Sequence, residues 1–197
     1  DMEQPLGYAV GNALEVAEAI ATLQGRGPED LLEHCLVVAA EMLLLAEKCA
    51  TPEAGRDLLT GAIESGQGVA KFREWVRAQG GDDRVVDDPA LMPQARLVEP
   101  LRSPHAGYVA AINAMEVGLA AVALGAGRQK KGDRVDHAVG VVLAKKVGEY
   151  VQKDEPLLTI YANDRERMDE ARQRLISAYQ WSDVSVLPPP LIRRIIR

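Results

Sequence analysis

Residues 1–25 read DMEQPLGYAVGNALEVAEAIATLQG, a turn running into a capped helix. Gln4-Pro5-Leu6-Gly7 is a turn sequence, and a turn leaves backbone carbonyls that need partners. Gly11 lets the chain bend without a Cβ clash. Asn12 followed three residues later by Glu15 has the spacing of a capping box. Asn12 would accept from an early helical N–H, and the Glu15 carboxylate would reach back to the Asn12 N–H. Val16, Ile20 and Leu23 fall on one helical face, and Gly25 stands where a left-handed stop is expected. Glu15 and Glu18 lie off that face near the helix N-terminus, where carboxylates favour the dipole and could also hold a cation. On the residues alone Glu18 is a solvated surface acid, with the cation-holding role open beside it.

The rest of the chain is Ala/Val/Leu-rich and globular in character. Its 197 residues are 47% hydrophobic, 26% charged and only 4% aromatic, enough to bury a substantial core and unlike a disordered chain. Lys+Arg number 23 against 29 Asp+Glu, a net charge of −6. Such a protein is a poor general partner for nucleic acid or an anionic membrane. Cys35 and Cys49 sit in an apolar helical pattern without a disulfide framework, which predicts buried free thiols in a reducing compartment. No signal peptide opens the sequence, and the apolar run Leu36–Leu45 is broken by Glu41 and too short to span a bilayer. The expectation is a cytoplasmic protein.

Helical patterns fill residues 1–93. Gly27-Pro28-Glu29-Asp30 starts a helix that is apolar nearly all round from Leu31 to Ala46, which predicts a central core helix. Thr51-Pro52-Glu53 caps a third helix, and Val69, Phe72 and Val76 mark a fourth with Trp75 beside them. Asp82 to Pro93 is turn-rich and predicts a solvated linker, with the domain boundary at 93/94. From 94 to 197 the texture is α+β. Ala95–Leu101, Gly107–Ala111, His137–Ala144 and Leu157–Ala162 favour strands, helices fall at Met115–Gly125 and Arg165–Tyr179, and Val184–Leu187 is a candidate last strand. Val147-Gly148-Glu149-Tyr150-Val151 with Leu157 is similar to the hairpin of biotinyl and lipoyl domains. It suggests a barrel-like β hairpin region, although Lys145-Lys146 lacks the flanking Met or Asp of a carrier lysine.

Local catalytic motifs are missing. His34, His105 and His137 stand near no Ser or Cys nucleophile context, and no HExxH, CxxC pair or P-loop occurs. Gly125-Ala126-Gly127-Arg128 with Lys130 and Lys131 has the composition of a phosphate nest. It ends a helix rather than starting one, which favours a capped turn.

Against that background, DMEQPLGYAVGNALEVAEAI resembles a segment of the pyrimidine-nucleoside phosphorylases, the thymidine phosphorylase family. GRGPEDL, FREWVRAQGGD, GYVAAINAMEVGLAAVALGAGR and PPLIRRIIR continue the match in order over essentially the whole chain. Glu3 departs mildly, standing where Asp or Asn is expected. The resemblance implies an α/β plus α+β fold: the helix-rich part of a large α/β domain over 1–93 and a smaller C-terminal α+β domain over 94–197. It implies the C-terminal portion of an enzyme about twice as long, whose N-terminal half carries the phosphate and pyrimidine sites. The intact enzyme would be a homodimer catalysing reversible phosphorolysis of thymidine, uridine and deoxyuridine, with inorganic phosphate as co-substrate. A monovalent cation, usually potassium, would take oxygens from the backbone carbonyls of Leu6 and Ala9 and the side chain of Glu18. No catalytic or substrate-binding residue is expected in this chain. Two other readings stand beside it: a non-catalytic α+β interaction or scaffold module, and a phosphoribosyltransferase, which would need an Asp-Glu pair for magnesium that the opening loop and first helix lack.

Overall fold

A computed structural model describes residues 1–196; Arg197, the last residue of the PPLIRRIIR stretch, lies outside them. The chain divides into two compact units, Ala17–Leu91 and a second made of Asp1–Val16 with Met92–Arg197. Helix α1 (Asn12–Leu23) begins in one and ends in the other.

The helical unit holds α2 (Glu29–Leu45), α3 (Pro52–Glu64) and α4 (Gln67–Ala78). Thr51 caps α3, its hydroxyl accepting from the Ala54 N–H at 3.2 Å, and Pro52 suits the first turn. α2 and α3 approach closely at Gly55: a Cβ there would lie 3.2 Å from the Ala40 Cα and 3.1 Å from the Cys49 Sγ. Arg56 of α3 grips Glu33 of α2 with two bonds of 2.9 and 2.5 Å, which holds the Glu33 carboxyl below the usual range. The acid-rich stretch after α4 is ion-paired. Arg73 and Arg77 reach Asp83 at 3.3 and 2.7 Å, and Arg73 also reaches Asp87 at 2.7 Å. The Arg84 guanidinium holds the Asp82 carboxyl down at about 2. Two 3₁₀ turns, Asp83–Val86 and Pro89–Leu91, occupy the expected linker and bury Val86.

Two expectations are corrected in this unit. α2 buries only Leu36 and Ala40 and leaves one of its apolar faces in solvent, so it is not a fully enclosed core helix. Cys35 is exposed and Cys49 is half-buried; both are free thiols.

In the other unit, a four-stranded antiparallel sheet has the order β1 (Ala9–Gly11), β4 (Gly140–Leu143), β6 (Pro156–Ala162), β2 (Leu97–Arg102). A three-stranded sheet has the order β5 (Tyr150–Val151), β3 (Gly107–Ile112), β7 (Tyr179–Ser182). Both sheets are open, which corrects the barrel-like expectation: β5 pairs with β3 and not with β6, so Val147 to Leu157 forms no lipoyl-type hairpin. The last strand falls at β7 and not at 184–187. Helices α5 (Ala114–Leu124) and α6 (Arg165–Ala178) complete the unit. Asn113 and Asp164 cap them, accepting from the Glu116 and Arg167 N–H groups at 3.2 and 3.0 Å. The core joins Val117, Ala120 and Leu124 of α5, Met168, Ala171 and Leu175 of α6, and Leu157, Leu158 and Ile160 of β6. Mixed helix and sheet packed this way make an α+β domain.

Candidate cation loop

The opening turn is fixed on both sides of Leu6. Ahead of it, the Glu3 carbonyl accepts from the Ala114 N–H at 3.2 Å and the Gln4 side-chain oxygen accepts from the Val147 N–H at 3.1 Å. Behind it, the Tyr8 carbonyl accepts from the Leu143 N–H at 2.8 Å, with the Lys146 ammonium 5.2 Å from the Tyr8 ring centre. Gly7, buried, turns the chain between them in the left-handed region at φ 67°. Leu6 is 37% exposed.

Ala9 begins β1 at the edge of the four-stranded sheet. The Tyr8–Leu143 bond makes Ala9↔Val142 the non-hydrogen-bonded pair of the ladder, so the Ala9 carbonyl points away from β4. Gly11 and Gly140 oppose each other two residues on, at φ 147° and 154°. A Cβ on Gly140 would sit 2.3 Å from the Val10 carbonyl oxygen, and one on Gly11 would sit 2.6 Å from that of Val139. This glycine pair sets how closely β1 lies on β4. It escaped the sequence reading, although a glycine inside the apolar run Ala138–Leu143 is a signal of close backbone approach.

β1 runs into α1 without an intervening residue, which shifts the expected capping box by one. The Glu15 carboxylate accepts from the Gly11 N–H at 2.8 Å, and the Asn12 amide instead donates to the Ala126 carbonyl at 2.8 Å. The Ala13 N–H donates to the His137 carbonyl at 3.0 Å. Glu18 is half-buried on α1 in the helical unit, while Leu6 and Ala9 belong to the α+β unit. The Glu18 carbonyl accepts from the Thr22 hydroxyl at 2.8 Å, and Gly27 follows where a Cβ would lie 2.0 Å from that hydroxyl. Main-chain carbonyls such as those of Leu6 and Ala9 are oxygen donors of the kind a hard cation takes.

The glycine-rich turn after α5 is a cap. Gly125 lies at φ 113°, and its N–H and that of Ala126 return to the last turn of α5. The Asp133 carboxylate accepts from the Gln129 and Lys130 N–H groups at 3.2 and 2.8 Å, taking the donors a phosphate nest would offer. No helix among the described residues is long and apolar enough to cross a membrane.

Residues 108–182 match the family described as the pyrimidine nucleoside phosphorylase C-terminal domain. The chain is 50% identical over 192 residues to a pyrimidine-nucleoside phosphorylase of Geobacillus stearothermophilus, covering 98% of this chain and 44% of that protein. It is 50% identical over 170 residues to one of Bacillus subtilis (strain 168), covering 86% and 39%. With one of Staphylococcus aureus (strain N315) it shares 45% identity over 196 residues, covering 100% and 45%. The chain thus spans less than half the length of the curated relatives it matches. It belongs to the pyrimidine-nucleoside phosphorylase family and corresponds to that family's C-terminal portion.

Proposed function

We propose that this chain acts as the C-terminal portion of a pyrimidine-nucleoside phosphorylase, a glycosyltransferase that is active only with its N-terminal half. The observation that carries this reading is 50% identity to an enzyme of that name along 98% of the chain. The reaction is phosphate-dependent, reversible cleavage of thymidine, uridine or deoxyuridine. A phosphate oxygen forms a bond to the anomeric carbon as the bond from that carbon to the base nitrogen breaks. The base leaves with the bonding electron pair and takes up a proton, giving free base and pentose 1-phosphate. The transition state carries oxocarbenium character and an anionic leaving group, so positioning and electrostatics supply the acceleration.

This chain's part is structural support of that chemistry. The carbonyls of Leu6 and Ala9 and the carboxylate of Glu18 would hold a potassium-like cation, whose positive charge favours a phosphate nearby. The bonds at Glu3, Gln4 and Tyr8 keep the loop rigid, so its carbonyls need little reorganisation to meet an ion. The intact enzyme is proposed to be a homodimer.

Co-expression of this chain with the N-terminal half of a close relative tests the reading. Release of uracil or thymine that requires both polypeptides and inorganic phosphate is the expected result. Base release by the purified chain alone would contradict the placement of the active site elsewhere. A chain that associates with its complement without restoring phosphorolysis would be the non-catalytic module.

A further inference from the structure

We infer that the exposed face of α2 is the surface on which the remaining portion of the enzyme packs. The inference rests on the functional reading above. Leu31, Cys35, Val38, Met42 and Leu45 recur at alternating steps of four and three, which places them in one stripe within about 80° of arc. Val38 is 44% exposed, Met42 64% and Leu45 84%. Cys35 is exposed as well. The acidic residues of α2, Glu29, Asp30, Glu33 and Glu41, all fall outside the stripe. The opposite side of the helix is already occupied, by the Gly55 approach at Ala40 and the Arg56 grip on Glu33. The outer turns of α3 and α4 carry charges such as Asp57, Glu64, Lys71 and Glu74, as solvent-facing turns do. α2 is different: one apolar face packs on α3 and the other, lined by Val38, Met42 and Leu45, lies in solvent.

Two facts select the occupant. The relatives carry more than half of their length beyond the region this chain matches, since it covers 44% and 45% of two of them. The stripe is also small. Fifteen helical residues give a strip about 21 Å long and about 10 Å wide, on the order of 200 Å², whereas a stable dimer needs about 800 Å² per partner. A second copy docking on this stripe alone would fall several-fold short. A larger apolar layer covering it together with other surface meets no such limit. The absence of any charge along the stripe suits permanent burial rather than a transient partner.

Cys35 reports on the stripe, with half-buried Cys49 as internal reference. Desolvation pushes the Cys35 thiol up, so alkylation is followed at alkaline pH. In complex with the N-terminal half, Cys35 alkylation should slow by roughly tenfold or more relative to the chain alone. Met42→Lys should abolish co-purification and phosphorolysis while leaving the chain's own circular dichroism and melting unchanged. Leu58→Lys, exposed on α3 outside the stripe, should leave both intact. An active complex whose Cys35 stays as reactive as in the chain alone would overturn the inference and leave the functional reading standing. A protected Cys35 without phosphorolysis would do the reverse. A dimer of the chain alone that Met42→Lys dissociates, by light scattering, would assign the stripe to a second copy and also overturn it.

Discussion

Gly140 faces Gly11 across two strands whose backbones leave no room for a side chain. A Cβ at Gly140 would meet the Val10 carbonyl oxygen at 2.3 Å, and the residue lies at φ 154°. Both the clash and the backbone conformation oppose an L side chain, so Gly140→Ala must push β1 off β4. The expected loss is about 2–3 kcal/mol, seen as a melting temperature lower by roughly 5–10 °C. Gly118→Ala in α5 is the control. Nothing lies within 4 Å of its added Cβ, so it should be neutral or gain about 0.5–1 kcal/mol from helix propensity. Equal melting of Gly140→Ala and wild type would show that the glycine pair does not set the strand spacing. Tyr179 makes a second residue-level case. It is 2% exposed, and its hydroxyl donates to the Lys145 carbonyl at 3.3 Å. Desolvation, and then the charge of Glu149, push its phenol above the ordinary value of 10.0. A raised folded-state value means that the stability contributed by the neutral phenol is intact below about pH 10 and is lost as pH rises further. Tyr179→Phe should therefore blunt the alkaline loss of stability. It should also lower, by one tyrosine's share, the phenolate absorbance that appears together with unfolding. Phenolate absorbance from Tyr179 in the still-folded protein would contradict this.

Helix α6 shows what helical periodicity alone can reveal. Met168, Ala171, Leu175 and Ile176 recur on one side of the helical pattern; the first three are fully buried and Ile176 is half-buried. Leu175→Ala leaves a cavity between α6 and the sheet and should cost about 2–5 kcal/mol, measured by denaturant unfolding. The ion pairs of Glu99 with Arg165 and Arg172, at 2.7 and 2.9 Å, tie the same helix to β2 through partly exposed side chains. Glu99→Gln should cost far less than Leu175→Ala, because water competes for such pairs. Caps were legible for the same local reason: Thr51 and Gly125 act within one turn of their own position. Pairing was not. β7 is four residues directly after α6, and its partner β3 lies about seventy residues upstream, so no local pattern could place it. β5 is two residues long, and the hairpin likeness assigned it to β6 when its ladder is with β3. The capping box slipped by one because β1 abuts α1, a junction that neither element's own pattern contains.

At the scale of the molecule, the loop around Leu6 was legible through its match to a family, while the direction of the Ala9 carbonyl was not. That direction comes from the β1–β4 register, a property of paired strands about 130 residues apart. The apolar surround of α2 was legible too, and the expectation of full burial failed because the chain alone covers just one side of it. The two carboxylates near the start of α1 separate the structural role from the cation role. Glu15 is bonded to the Gly11 N–H at 2.8 Å and so holds the strand-to-helix junction. Glu18, one turn further on, is the proposed ligand. In the enzyme reconstituted with its N-terminal half, Glu15→Ala should lower stability by about 1 kcal/mol and leave the proposed potassium dependence unchanged. Glu18→Gln keeps the shape and an oxygen but removes the charge. It should leave melting without potassium unchanged and raise the half-saturating potassium concentration by roughly tenfold or more. Titrating activity and melting temperature against potassium chloride, with constant ionic strength held by choline chloride, reads both effects in one series. If Glu18→Gln tracks wild type across that series while Glu15→Ala shifts it, the carboxylate at the helix entrance is the ligand and Glu18 is not.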